Sequence, residues 1–206
     1  MSDQSKVYLK DRRTGQLVEA ILIDGVSKNE IDTADADWRK AFNEALAVLE
    51  KTGVPKSQWP QHSHWNWRKK YEVTADQLAY RILGVECQKQ MQGLMLIATA
   101  GHYCRISSQK EKHLVYVHFI ATAPWNSPIV FKEPTYALVG RILIAAAIQI
   151  SQAEEFAGRM GLHSLPQSES WYRENCGMSD LGPDPNDRSK LRYFEMTAEQ
   201  ANKFLE

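Results

Sequence analysis

The stretch GRMGLHSLPQSESWYRENCGM, residues 158–178, decides the fold class of this chain. A long apolar segment precedes it, and LRYFEMT, residues 191–197, follows it. This order predicts the end of a buried helix, a short strand, a second amphipathic helix and a last strand. Trp171 and Tyr172 lie on the second helix, and Gly177 is placed to end it because glycine accepts a left-handed backbone without a steric cost.

Outward from this stretch, the chain alternates between strand-like and helix-like patterns. The predicted strands cover residues 17–23, 80–87, 93–100, 113–123, 162–165 and 191–197. The first predicted helix covers residues 37–51, with Asp35 or Thr33 as its cap. A second begins between Pro134 and Leu138 and ends near Phe156, and a third covers residues 197–205. The strand over residues 113–123 is apolar on both faces, as central strands are. The order predicts an α/β (α+β) fold with a central mixed β-sheet and helices on both faces.

The length of the chain predicts a single domain, and its charge argues against a nucleic-acid-binding protein. The chain has 206 residues, and 25 Lys plus Arg balance 25 Asp plus Glu. We therefore expect one domain over residues 1–206, with residues 1–16 as a candidate flexible N-terminus. Balanced charge argues against binding that is dominated by phosphate contacts.

The remaining composition favours a cytoplasmic protein without metal. Cys87, Cys104 and Cys176 have no metal-ligand spacing, which indicates reduced thiols. The N-terminus lacks the apolar stretch of a signal peptide. Residues 138–150 are apolar but too short and too polar to span a bilayer, so we expect no membrane association.

The order of elements and the aromatic pair Trp171 and Tyr172 resemble the GNAT (Gcn5-related N-acetyltransferase) superfamily, whose members use acyl-coenzyme A. The resemblance covers residues 17–200 and is strongest over residues 114–197. It implies the GNAT-like acyl-CoA N-acyltransferase fold. It also implies an N-acetyltransferase that moves an acetyl group from acetyl-CoA, as co-substrate, to an unidentified amine acceptor by direct attack in a ternary complex. Homodimers are common in this family.

In this family, the coenzyme pyrophosphate binds backbone N–H groups at the start of the long helix, where the helix dipole favours an anion. Gly140 matches the second small residue of the family's loop, whereas Leu138 replaces its first glycine and Thr135 replaces its Arg or Gln. Leu138 must hold an ordinary φ or accept a left-handed one at a cost of about 1 kcal/mol. The resemblance implies that Thr135, Leu138, Val139, Gly140 and Arg141 bind the cofactor.

The same resemblance assigns the pantetheine arm of the coenzyme to the end of the central strand. It pairs there like an extra strand, which places Ile120 and Thr122 opposite residues 162–165 as cofactor-binding residues. Their backbone groups would make the contacts. A backbone N–H near Ile120 would also polarise the thioester carbonyl, as an oxyanion donor does.

Amide formation needs a group that protonates the leaving thiolate and one that removes the amine proton. The resemblance makes Tyr172 the acid, although a half-buried packing Tyr is the alternative. The central strand has no Glu for the family's usual base. Tyr116 lies near that position, and His118 faces the same side by strand alternation. The predicted base is therefore His118 or a water chain, with a core histidine as the alternative; His163 is a weaker candidate that would tune packing or bind the acceptor.

Residues 58–71 combine tryptophans, histidines and a basic run, and several interpretations stay open. In GNAT folds this segment often covers the acceptor groove, so a tryptophan-rich lid would suit an apolar acceptor. His62 and His64 would contribute to a metal site only with further ligands, which the neighbouring sequence lacks. The basic run that follows Trp67 would suit a nucleic acid. The simplest interpretation is that the tryptophans hold irregular chain against the core.

The departures at the coenzyme loop favour a rival of another class. A catalytically degenerate GNAT-like domain would act as a ligand-binding or protein-interaction module. Leu138 and the missing Glu support that rival, whereas the intact pattern over residues 158–178 supports the enzyme.

Overall fold

The computed structural model describes residues 3–206; Met1 and Ser2, part of the candidate flexible N-terminus, lie outside the described residues. The strands are β1 (Asp3–Asp11), β2 (Leu17–Asp24), β3 (Tyr80–Cys87), β4 (Gln90–Ala98), β5 (Val115–Thr122), β6 (Tyr136–Ala137), β7 (Met160–Ser164), β8 (Ser179–Pro183) and β9 (Arg192–Met196). The helices are α1 (Lys28–Lys51), α2 (Trp67–Thr74), α3 (Val139–Ala153) and α4 (Ala198–Leu205), with a π-helical turn over Trp171–Asn175.

These strands form one mixed sheet in the order β6-β1-β2-β3-β4-β5-β7-β9-β8. β5 and β7 pair in parallel, with Val115 opposite Met160 and Val117 opposite Leu162. β7 and β9 pair antiparallel, as do β1 and β2. β5 lies inside the sheet, which confirms the prediction of a central strand and of a mixed sheet.

All the predicted strands are present as β2, β3, β4, β5, β7 and β9, but β1, β6 and β8 were not predicted. β1 occupies most of the segment expected as a candidate flexible N-terminus, and it pairs with β2 from Asp3 opposite Asp24 to Lys10 opposite Leu17. Only Leu9 of β1 is buried, so the strand carries little apolar signal in the sequence.

α1 begins nine residues before the predicted start at residue 37, and its expected caps are wrong. Ser27 is the N-cap, and a reciprocal pair of hydrogen bonds with Glu30 forms a capping box. Thr33 donates its hydroxyl to the Asn29 carbonyl inside the helix. Asp35 is buried and accepts a hydrogen bond from a distant backbone N–H. The early start was missed because polar residues dominate the first turns.

α3 begins at Val139, just beyond the predicted window, and ends at Ala153, before the predicted end near Phe156. The two-residue strand β6 and Leu138 occupy the window instead. Leu138 has a φ of 76°, a left-handed conformation that cannot continue into a helix. The predicted closing helix is confirmed as α4, with Thr197 as its N-cap.

The chain divides into two compact units. The first comprises residues 1–78, 82–95 and 120–143, of which residues 1 and 2 are not described. In this unit, the indole of Trp38 on α1 meets Trp67 on α2 edge to face, with 6.2 Å between ring centroids. The Trp38 indole N–H also donates to the Met91 carbonyl at 3.1 Å. These contacts hold α1 against α2 and against β4.

The second unit comprises residues 79–81, 96–119 and 144–206. Glu195 of β9 has no exposed surface, and its carboxylate accepts hydrogen bonds from the backbone N–H groups of Arg105 and Ile106 and from the Gln109 side chain. A buried carboxylate needs such partners to offset its lost hydration. Glu195 of β9 therefore holds in place the loop that precedes β5. Within residues 3–206, no helix is both long and apolar enough to cross a membrane.

Gly93 of β4 allows the start of α3 to approach the sheet in the first unit. A Cβ at this position would lie 2.5 Å from Cγ1 of Val139 and 3.0 Å from Cδ1 of Leu143. Gly93→Ala is therefore expected to lower the free energy of unfolding by about 1–3 kcal/mol, measured by urea denaturation. In a Val139→Ala background, which removes the clashing methyl, the cost should shrink. An equal cost in both backgrounds would contradict this origin of the strain.

Candidate functional site

The second unit holds a chain of hydrogen bonds that joins a phenol, an imidazole and a carboxylate. The Tyr116 hydroxyl lies 2.5 Å from Nδ1 of His163, and Nε2 of the same ring lies 2.9 Å from Oδ2 of Asp184. Tyr116 is on β5, and His163 is on β7 just beyond the residues that pair with β5. Asp184 follows β8. We call these three residues the Tyr–His–Asp chain.

The carboxylate end of the Tyr–His–Asp chain is ionised. The hydrogen bond from Arg105, at 2.6 Å, lowers the pKa of Asp184 well below its ordinary value of 3.8, and hydrogen bonds from the Asn186 backbone N–H and from His163 lower it further. An ionised carboxylate only accepts, so Nε2 of His163 carries a proton, and in the neutral form of the ring it is the only nitrogen that does. Nδ1 is then an acceptor, and the Tyr116 hydroxyl donates to it.

The phenol end of the chain is protonated. Burial raises the pKa of Tyr116 to about 12, although the Arg105 guanidinium acts in the opposite direction. The ring of Tyr116 stacks on His102 at 4.3 Å and meets His118 edge to face at 4.7 Å. Tyr116 therefore presents a neutral hydroxyl whose proton is already directed at an imidazole.

Arg105 supports the chain from the far side. Its guanidinium carbon lies 4.0 Å from the centroid of the Tyr193 ring, within the range of a cation–π contact. The hydroxyl of Tyr193 lies over Gly161, where a Cβ would come within 2.2 Å of it. Gly161 is opposite Tyr116 in the β5–β7 register. The backbone of Arg105 is also held by Glu195, so this cation has a fixed position.

His118, the base suggested by the sequence, lies among aromatic rings rather than charges. Its ring centroid is 5.2 Å from Tyr80 and 5.5 Å from His102. Burial, and to a smaller extent the charge of His102, lowers the pKa of His118 to about 4. Its Nε2 is buried without a hydrogen-bond partner among the described residues. His118 is therefore neutral at physiological pH.

Tyr172, the predicted acid, lies on the π-helical turn of the second unit and is 5% exposed. Its ring contacts Trp171 and Phe194, so it packs as well as carrying a hydroxyl. Burial, with a smaller effect of Cys176, raises the pKa of Tyr172 well above its ordinary value of 10. The phenol is therefore protonated, as a proton donor must be. The described contacts of Tyr172 and of His118 involve different residues.

The predicted coenzyme loop lies in the first unit, where a buried network braces it. The Gln92 side chain accepts hydrogen bonds from Trp125 and from Asn126, and Asn126 in turn accepts from the Tyr136 backbone N–H. The Thr135 backbone N–H donates to the Trp125 carbonyl at 2.9 Å. The backbone donors of Thr135 and Tyr136 are therefore already used inside the protein.

The donors that remain in this loop belong to the first turn of α3. The N–H of Ile142 makes a helical hydrogen bond to the Leu138 carbonyl at 2.9 Å. Val139 and Gly140 precede Ile142 in α3, at positions whose N–H groups have no partner within a helix. Leu138 is 40% exposed and left-handed, so the chain turns sharply at this residue.

The tryptophan-rich segment, residues 58–71, packs against α1 in the first unit. The Trp65 ring meets both His62 and Trp67, and His62 meets Phe42. Burial, with a smaller contribution from His64, lowers the pKa of His62 to about 4. These contacts fit the interpretation that tryptophans hold this segment to the core, and its residues from Trp67 onward belong to α2. Across the described part of the chain, no group of three or more His, Cys, Asp or Glu side chains is arranged to hold a metal ion.

Sequence analysis missed Asp184 and Arg105 as members of this site. Asp184 lies in a proline-rich turn, and its partners His163 and Arg105 are 21 and 79 residues away in the chain. No local pattern reports such contacts. The one feature of the sequence that pointed to this site was His163, a polar residue inside a short apolar strand.

Acid denaturation should report the ion pair of Asp184. Its folded pKa lies below the unfolded value, so the group stabilises the protein above about pH 4, and this contribution is lost as pH falls towards the folded pKa. Asp184→Asn is expected to have a lower Tm at neutral pH and a shallower decline on acidification than the wild type. Asp37→Asn, at an exposed position of α1, is the control. Parallel Tm–pH curves for wild type and Asp184→Asn would contradict the assignment.

No protein-family model matches this chain, and no curated protein matches it. Solved structures do. A PaiA N-acetyltransferase from Thermoplasma acidophilum, in complex with coenzyme A, is 11% identical with a TM-score of 0.50, covering 85% of this chain and 98% of that one. FeeM, an N-acyl amino acid synthase from uncultured soil microbes, is 11% identical with a TM-score of 0.55, covering 89% and 94%. An uncharacterized protein from Bacillus halodurans is 9% identical with a TM-score of 0.53, covering 97% and 94%.

At these identities the similarity concerns the fold. The matches extend over most of both chains, and two of the matched proteins are acyl-transferring enzymes by name. The chain therefore has the GNAT-like acyl-CoA N-acyltransferase fold that the order of its elements predicted.

Proposed function

We propose that this protein is an N-acyltransferase that moves an acyl group, acetyl in the simplest case, from coenzyme A to an amine. The observation that carries the proposal is the start of α3. Leu138 turns the backbone through a left-handed conformation, and the N–H groups of Val139 and Gly140 follow it at a helix N-terminus, the position that favours a pyrophosphate. The fold similarity to acyltransferases supports the same function.

In this proposal the coenzyme contacts are mainly backbone contacts. Val139 and Gly140 donate to the pyrophosphate, and the charge of Arg141 attracts it. Thr135 contributes its side chain, because its backbone N–H already donates to Trp125. The resulting affinity depends little on side-chain identity at the position of Leu138, provided that the left-handed backbone is kept.

Further along the coenzyme, β5 would bind the pantetheine arm through the backbone of Ile120 and Thr122. Both residues are half-buried at the end of the strand. A backbone donor near Ile120 would polarise the thioester carbonyl and stabilise the oxyanion that forms during attack.

The chemistry is direct attack of a neutral amine on the thioester carbon. The carbon–nitrogen bond forms, the carbon–sulfur bond breaks, the thiolate takes a proton from Tyr172, and the amine nitrogen loses one proton. A buried, protonated phenol suits the acid role of Tyr172. His118, neutral and with an unpartnered Nε2, is the base that the sequence suggests, directly or through water.

The proposed partners are acyl-CoA and an amine acceptor, with a homodimer as the assembly to test. Cys87, Cys104 and Cys176 form no disulfide among the described residues. Cysteines outside disulfides suit the reducing cytoplasm, and we propose that compartment.

Isothermal titration with acetyl-CoA, beside free coenzyme A, tests coenzyme binding directly. Micromolar binding is expected for both ligands. Gly140→Glu is expected to abolish it, because it puts a carboxylate beside the pyrophosphate at the start of α3. Circular dichroism controls for the folding of the variant. If folded wild-type protein binds neither ligand, the acyltransferase proposal is wrong.

A non-catalytic ligand-binding or protein-interaction module is the second candidate. It is favoured by the Thr135 N–H that is already bonded within the protein and by the strain at Leu138. Such a module needs no proton donor.

Tyr172→Phe distinguishes the two candidates, because the substitution removes the hydroxyl and keeps the packing ring. In an enzyme, thiol release from acetyl-CoA is expected to fall by about 10²-fold or more, with coenzyme affinity and Tm nearly unchanged. Trp171→Phe, on the neighbouring residue of the same turn, is the control for packing. Unchanged turnover in Tyr172→Phe would remove this residue from the acid role.

A further inference from the structure

We infer that the Tyr–His–Asp chain is the proton acceptor of the transfer reaction, with the Tyr116 hydroxyl in contact with the acceptor amine. The inference rests on the proposed acyltransferase function and names the group that removes the amine proton. Three geometric features carry it: a continuous chain of hydrogen bonds, a fixed direction of proton flow, and an ion pair that closes the far end.

The chain of hydrogen bonds is continuous because it contains two short contacts. Tyr116 and Nδ1 of His163 are 2.5 Å apart, and Nε2 of that ring is 2.9 Å from Asp184. Both distances are in the range of direct hydrogen bonds. A proton can therefore move from the phenol to the imidazole without any rearrangement of heavy atoms.

Asp184 fixes the direction in which a proton moves along the Tyr–His–Asp chain. Its carboxylate also accepts from Arg105 and from the Asn186 backbone, and it stays ionised. It therefore holds the proton of His163 on Nε2 and leaves the Nδ1 lone pair for the phenol. A neutral phenol that donates to Nδ1 has free lone pairs on its oxygen, and these can accept an N–H from an amine.

The transfer step balances as follows. As the amine nitrogen bonds to the acyl carbon, one of its protons moves to the Tyr116 oxygen, and the original phenol proton moves to Nδ1 of His163. The imidazolium that results lies against the carboxylate of Asp184, which stabilises its charge. After the amide leaves, the imidazolium returns the proton through Tyr116 to water. The thiolate receives its proton separately from Tyr172, and the Tyr172 phenolate then takes a proton back from water.

The surroundings favour this route over His118 as the base. Burial makes His118 a weak proton acceptor, and the described groups around it include no carboxylate. The charged and titratable groups that face the Tyr–His–Asp chain are His102 and His118 on one side, and Arg105, Tyr193 and Asp187 on the other. Only the chain itself joins an imidazole to an anion among these described groups.

The test measures thiol release from acetyl-CoA by the full-length protein, with benzylamine and with hydroxylamine as probe acceptors, over a range of pH. Tyr116→Phe keeps the ring that stacks on His102 and removes only the hydroxyl. With benzylamine, Tyr116→Phe and His163→Gln are each expected to lower kcat by about 10²–10⁴-fold and to remove the limb of the pH profile that reports the base. Hydroxylamine is a more acidic nucleophile that depends less on a base, so its rate should fall less. Tyr103→Phe, at an exposed tyrosine of the same unit, should change nothing.

Asp184 is tested as a positioning residue by a readout that does not require turnover. Nitrogen-15 spectra of the imidazole rings should show His163 with its proton on Nε2 in the wild type, and a shift to the other tautomer or to a mixture in Asp184→Asn. A wild-type ring with its proton on Nδ1 would overturn the inference, whatever the activity. The Tyr116→Phe variant covers the case in which Asp184→Asn does not fold.

The outcomes separate the inference from the function on which it rests. Coenzyme binding and thiol release that persist unchanged in Tyr116→Phe and His163→Gln would refute the Tyr–His–Asp chain and keep the acyltransferase. Loss of the base limb in His118→Gln, with Tyr116→Phe unaffected, would likewise refute it and assign the base to His118. Failure of the wild type to bind coenzyme or to release thiol would refute the acyltransferase and the inference together.

Discussion

A carboxylate that is almost completely removed from water organises the second compact unit. Only 3% of the Asp184 side chain is exposed. An isolated buried charge costs several kcal/mol, so the fold must bring donors to it from distant parts of the chain. Arg105, His163 and the Asn186 backbone meet that requirement. The orientation of the His163 ring, and through it the position of the Tyr116 hydroxyl, follows from this one constraint.

The proposed coenzyme loop of the first unit depends on a different kind of interaction. Its shape is held by an amide network around Gln92, which is 1% exposed, and by the backbone turn at Leu138. A left-handed leucine costs on the order of 1–3 kcal/mol, and such strain persists only where the surroundings over-determine the backbone. Asn126 and Trp125 supply those surroundings. The loop therefore keeps its conformation without a glycine, which would adopt the left-handed backbone at a lower free-energy cost.

The sequence predicted those elements whose patterns are local. β5, β7 and β9 are short apolar runs with clear ends, and α4 has a capping box that starts at Thr197. β1 was not predicted because its residues are mostly polar and exposed. Of the candidate site, His163 could be noticed as a polar residue in an apolar strand. Its coupling to Asp184 could not, because the turn that carries Asp184 has the ordinary composition of a loop. The φ of Leu138 could not be predicted from the sequence either, because its value depends on the packing around the loop rather than on the residue type.

The position of β1 has a consequence for handling the protein. β1 pairs with β2 on one side and with β6 on the other, and the Arg12 backbone N–H donates to the Thr135 carbonyl. The strand β1 thus supports the loop before α3 through direct hydrogen bonds. Removing β1 would therefore disturb the loop before α3, which lies more than a hundred residues away in the chain, through its pairing with Lys10 and Asp11.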